Sequence, residues 1–117
     1  MNWLKRKFRG IFSWCYKLTP PLEDVGDPVI LPLLNWPNRY IFYCPGCEDN
    51  HTIDTGPYGH ILTGTQNKPT IKPSVLSNAK NNPGSPRCHS WVTGGRIKFL
   101  DDCTHDLAGK TVNLPVL

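Results

Sequence analysis

The hydrophobic and polar positions of this chain follow two periods in turn. In residues 3–16, Leu4, Phe8, Ile11, Phe12 and Cys15 recur at spacings of three and four, with Trp3 beside them; Lys5, Arg6 and Arg9 fall largely on the other side. That is the period of a short amphipathic helix, and Pro20 and Pro21 stop it. From Val29 onward the pattern is that of strands. Residues 40–43 are aromatic and β-branched and lead directly into Cys44, a composition that strands favour. Residues 52–87 read as irregular, with short extended pieces around 60–63 and 70–76, and 78–86 is a loop by composition. The clearest element is a hairpin, 88–93 and 96–100, joined by Gly94-Gly95, because two-residue hairpin turns require positive φ angles that glycine supplies. Thr104 is then placed to cap a single helical turn that Gly109 ends, and 111–116 reads as a last strand.

Composition sharpens this into a fold class. The 117 residues include 12 Pro and 10 Gly, which shorten elements and lengthen loops. The chain reads as mainly β with long loops: a small, zinc-stapled β-sheet domain over 29–117, a linker at 19–28, and a basic amphipathic arm at 1–18. A thin core of this kind benefits from a staple. No apolar run approaches the ~20 residues that span a bilayer. The N-terminus lacks the continuous apolar stretch and small-residue cleavage site of a signal peptide, so the cytoplasm is the expected location. Thiols stay reduced there, and five cysteines, an odd number, point to metal or redox chemistry before disulfides.

Charge divides the chain. Lys5, Arg6, Lys7, Arg9 and Lys17 face no acid in residues 1–18, whereas the remainder holds eight basic residues against nine acidic ones. The net charge of +4 therefore belongs to the arm, and the body is not a basic nucleic-acid platform. A basic amphipathic arm can dock on its own domain or on a partner protein, lie on a membrane surface, or contact nucleic acid through Lys5, Arg6, Lys7 and Arg9.

The chemistry concentrates in cysteine and histidine. In Cys44-Pro45-Gly46-Cys47, Pro45 fixes φ and Gly46 removes a side-chain clash, so both thiolates can face one ion. A redox pair would want a following helix in a βαβ context, and Glu48-Asp49-Asn50 offers neither. Cys88-His89 opens one hairpin strand and Cys103-Thr104-His105 follows the other. A sheet pairing this hairpin with strand 40–43 would bring all three clusters to one end. Six candidate ligands result: Cys44, Cys47, Cys88, His89, Cys103 and His105. Four-coordinate zinc is the ion such a set suits. Cys44, Cys47, Cys88 and Cys103 form one option. Replacing Cys103 by His89 is another, although adjacent residues of a regular strand point to opposite faces. Asp101, Asp102 and Asp106 are candidates to accept the second N–H of a ligating histidine. His51, four residues after Cys47, can be a ligand, a donor behind one or a surface residue; His60 reads as structural and Cys15 as packed.

No catalytic spacing is recognisable: there is no H-E-x-x-H and no H-x-E with P-C-x-x-C. A couple of Cys103 with His105 or His51 could act as nucleophile and base, with a carboxylate from Asp101, Asp102 or Asp106.

Several short motifs occur in order: Cys44-Pro-Gly-Cys with His51, Pro69-Thr-Ile-Lys-Pro-Ser74, Arg87-Cys-His-Ser-Trp-Val92, and Asp102-Cys-Thr-His105 followed by Leu107-Ala-Gly109. Over about residues 40–115 they resemble a family of small tailed-phage and prophage proteins of unassigned function, often labelled ammonia monooxygenase. That enzyme is a membrane-integrated copper complex, and neither a spanning segment nor a His-rich copper site is present. The resemblance implies a phage origin and a host-cytoplasmic or virion-associated setting, and singles out the same six Cys and His positions. The expected function is a zinc-binding accessory protein that binds a host or virion macromolecule. A small metal- or Cys/His-dependent hydrolase and a nucleic-acid-binding protein are the alternatives.

Overall fold

A computed structural model describes residues 22–77 and 87–117. The expected amphipathic helix with Cys15, the basic arm and the 78–86 loop lie outside the described residues. Within them the chain is all strand and turn. Strands β1 (Ile30–Pro32), β2 (Arg39–Cys44) and β3 (Asp49–Asp54) form an antiparallel three-stranded sheet. Strands β4 (Ile61–Gly64), β5 (Pro69–Ser77), β6 (Cys88–Thr93), β7 (Arg96–Phe99) and β8 (Thr111–Asn113) form an antiparallel meander in chain order.

Alternation decides how the sheets meet. On β2, Tyr40, Phe42 and Cys44 are buried; on β6, Cys88, Ser90 and Val92 are. Together with Ile30, Ile53, Leu62, Ile71, Val75, Ile97 and Phe99, contributed by both sheets, most of these side chains make one continuous core. Two sheets packed face to face bury alternate residues in this way. Phe42 and Phe99 are fully buried, and removing either side chain would cost about 3–5 kcal/mol. Leu22, in the segment read as a linker, is also buried in this core.

The hairpin forms as its sequence predicts. Gly94 and Gly95 connect β6 to β7 with φ of 58° and 81°, and a Cβ on Gly95 would lie 2.8 Å from the Asn67 carbonyl oxygen. Two expectations need correction. Strand 40–43 does not share a sheet with this hairpin; the two face each other across the core, because both present a buried alternate row. Residues 106–109 form turns and not a helical turn. One irregularity bears on function. Ile71 pairs with Val92 and Val75 with Ser90, so β5 carries two extra residues there. Pro73, which has no N–H for a ladder, lies in this bulge, and Ser74 follows it.

Candidate active site and metal centre

Strand β6 presents Cys88 inward and His89 outward, and these two residues belong to two separate centres on opposite faces of one sheet.

The inner centre lies between the sheets. Cys44, Cys47, Cys88 and His105 each offer a ligand atom, and these atoms all lie within 4.8 Å of one another. The end of β2 and its turn bring the first two residues, the start of β6 brings Cys88, and the turn after β7 brings His105. Gly46 is required here: a Cβ on it would fall 2.2–2.6 Å from the His105 ring, which also packs edge-on to Phe99 at 4.5 Å.

The donor set fits a cation. The Cys44 and Cys88 sulfurs are 3.7 Å apart. A hydrogen bond from the Cys88 thiol, opposed by burial and aided by His51 and the Cys47 N–H, lowers Cys44 to about 4. Burial and the neighbouring Cys44 charge push Cys47 up to about 12, and the bond to Cys44 together with burial pushes Cys88 up as well. One thiolate and two thiols are what the site sustains alone; three thiolates need positive charge among them. Nε2 of His105 is buried with no hydrogen-bond partner; Nδ1 lies 3.2 Å from the Leu107 N–H, so an ion would take Nε2 once the ring proton sits on Nδ1.

The outer centre was not legible as chemistry in the sequence. Ser74 Oγ lies 2.9 Å from His89 Nε2, and His89 Nδ1 lies 3.1 Å from Asp102 Oδ2. The same carboxylate oxygen accepts from Arg87 Nη2 at 3.1 Å and Nε at 3.3 Å. Burial would raise Asp102, but the hydrogen bonds from His89 and Arg87 outweigh it and hold the group below its ordinary value. An ionised carboxylate only accepts, so Nδ1 carries the His89 proton and Nε2 is free to receive one from Ser74.

The backbone holds the three residues in place. The Leu100 N–H donates to the His89 carbonyl at 2.9 Å, and the Thr104 N–H donates to the Arg87 carbonyl at 3.0 Å. The Arg87 N–H donates to Thr104 Oγ1 at 2.7 Å. These bonds lash the Asp102 turn to the start of β6. On the other side, His60 Nε2 reaches the Ser74 carbonyl at 3.1 Å, beside the bulge.

Of the six expected metal ligands, four converge and two do not. His89 is excluded because both ring nitrogens are engaged and the side chain leaves the outer face of β6. Cys103 is buried nearby, but its sulfur accepts the His89 N–H at 3.3 Å and its thiol donates to the His89 carbonyl at 3.2 Å. The couple of Cys103 with His105 or His51 is not formed: His105 joins the thiol cluster, and His51 is buried beside Cys44 and Phe42. Ser74 and Asp102 were missed as a pair. Triads are recognised by geometry and roles, not by spacing; the only signal was a serine following a proline inside an extended run.

Comparison with known proteins supplies a family. Residues 26–100 match BubE, described as a bacterial ubiquitination-like system serine protease. The match covers Ser74 and His89 and stops two residues before Asp102. Its description is bacterial, where the motif resemblance had implied a phage. Among curated proteins and among solved structures nothing matches. By the span of that match, the chain belongs to the BubE family.

Proposed function

We propose that this protein is a serine protease that cleaves a peptide bond of a protein substrate within a bacterial ubiquitination-like system. The observation that carries this reading is the unbroken chain of hydrogen-bonding distances from Ser74 Oγ through His89 to Asp102. The family description agrees with it.

The mechanism follows from the donors and acceptors. Ser74 Oγ attacks the carbonyl carbon while His89 Nε2 takes its proton. The imidazolium so formed is stabilised by Asp102 through Nδ1–H, and Arg87 holds that carboxylate. Collapse of the tetrahedral adduct breaks the C–N bond, and His89 returns the proton to the leaving amine. Water, deprotonated by the same nitrogen, then hydrolyses the acyl-serine and restores Ser74.

Zinc is the ion we assign to Cys44, Cys47, Cys88 and His105, since three thiolates and an imidazole are a closed structural set. When bound it supplies charge neutralisation and a cross-link between the sheets. We place the protein in the bacterial cytoplasm, where these thiols stay reduced.

A fluorophosphonate probe tests the assignment. It should modify Ser74 stoichiometrically, as located by peptide mass spectrometry, and Ser74→Ala should abolish the reaction. Unlabelled, folded protein, or a label on Ser77 or Ser90, would refute the assignment.

A further inference from the structure

The outer face of the five-stranded sheet surrounds the Ser74–His89 pair, and strand pairing shows which side chains share it. Leu76 stands opposite His89, Lys98 opposite Trp91, and Lys72 opposite Ile61. Directly opposed residues project to the same side, and two-residue steps along a strand return to it. Arg96 joins Lys98 on this face. Ile61, Leu76 and Trp91 are 61%, 48% and 40% exposed, although large apolar side chains of the other face are buried. Trp91 lies two residues from the base, and Leu76 two from the nucleophile.

Charge on the strands of this face has one sign, and the carboxylate at its margin, Asp102, is held by Arg87 and His89. The five strands contain Lys72, Arg96 and Lys98 and no Asp or Glu. None of these three cations has a carboxylate within 4.0 Å among the described residues. The nine acidic residues of the chain lie off these strands, in residues 23–54 and 101–106. Exposed cations interleaved with apolar anchors complement an acidic, partly apolar polypeptide. Nucleic acid would meet the same charges, but it offers no amide bond of the peptide kind to the serine beside them.

We infer that this face is the docking surface for an acidic segment of the protein substrate, with Lys72, Arg96 and Lys98 meeting its carboxylates and Trp91 and Leu76 gripping apolar side chains on either side of the Ser74–His89 pair. The inference rests on the protease reading and adds the chemistry of the substrate.

Nuclear magnetic resonance on the full-length, metal-loaded Ser74→Ala protein tests it without turnover. The probes are a peptide alternating Glu and Leu, a matched Lys–Leu peptide and a twelve-residue oligothymidylate. The Glu–Leu peptide should shift the amides of Ile61, Leu76 and Lys98 and the indole N–H of Trp91. Its affinity should fall at least tenfold in 0.5 M salt, and about tenfold when Arg96→Glu and Lys98→Glu are combined. Shifts confined to other surfaces, equal binding of the Lys–Leu peptide, or preference for the oligonucleotide on this face would each overturn the inference. The same double charge reversal in the Ser74 background should still react with the fluorophosphonate at the unaltered rate. A failed docking test beside normal labelling would sink the substrate inference alone; absent labelling of the unsubstituted protein would sink the protease reading.

Discussion

Replacing Asp102 by alanine isolates the part of the outer centre that does no bond-making itself. Oδ2 of Asp102 is the acceptor for three donors: His89 Nδ1 at 3.1 Å, Arg87 Nη2 at 3.1 Å and Arg87 Nε at 3.3 Å. Alanine leaves the imidazole free to carry its proton on Nε2, where it faces Ser74 Oγ and blocks proton transfer. It also leaves the Arg87 guanidinium uncompensated beside a ring that must become cationic. Both effects act on the transition state. Losing the carboxylate of such a triad lowers turnover by about four orders of magnitude, and the fluorophosphonate reaction of Ser74 should slow by about that factor. Asp102→Asn should lose about as much, because the neutral amide carries no charge and its NH2 can face Nδ1 and fix the wrong tautomer. The assay is the second-order labelling rate, with circular dichroism and metal content measured on the same samples. Asp102 is exposed, so fold and metal should survive. Labelling of Asp102→Ala within tenfold of the native rate, on folded and metal-loaded protein, would refute the triad.

Four other outcomes follow. Cys44→Ser should lose the ion and the cooperative unfolding transition together, since structural metal binding is coupled to folding; elemental analysis should find one zinc per native chain. Gly46→Ala should drive a Cβ into the His105 ring, which Phe99 keeps from retreating, and weaken zinc binding by about tenfold or more in a chelator competition. At pH 7.5 the Cys44 thiol, lowered to about 4, is already ionised, whereas Cys47, pushed up to about 12, and Cys88, also raised, are not. Zinc loading should therefore release about two protons, and affinity should rise with pH; calorimetry in buffers of different ionisation enthalpy measures the number. His60→Ala should lower kcat several-fold with little change in KM, because it frees the Ser74 carbonyl that His60 Nε2 holds at 3.1 Å; His60→Gln, which keeps a donor, should recover part of the loss.

Much of the architecture was legible because it is local. The aromatic run 40–43, the Gly94-Gly95 turn and the alternation of 88–93 each specify an extended segment or a reversal from neighbouring residues alone. Cys44-Pro-Gly-Cys47 likewise declares a turn that can face an ion. Cys88 and His105 were singled out by residue type, and which four of the six would meet was not legible, because that depends on the face from which a side chain leaves.

What only the tertiary structure decided are the relations between faces. Adjacent residues of a strand diverge, so Cys88 joins a cluster of thiols and an imidazole in the core while His89 joins a serine and an aspartate outside it. The distance from Ser74 to His89 is set by a two-residue bulge opposite β6, and that from His89 to Asp102 by backbone bonds across the start of a hairpin. Neither leaves a fixed spacing in the chain. A triad needs atoms about 3 Å apart, and chain order carries no such length once turns and register intervene; the sequence could supply a serine, a histidine and an aspartate, and only packing could make them one unit.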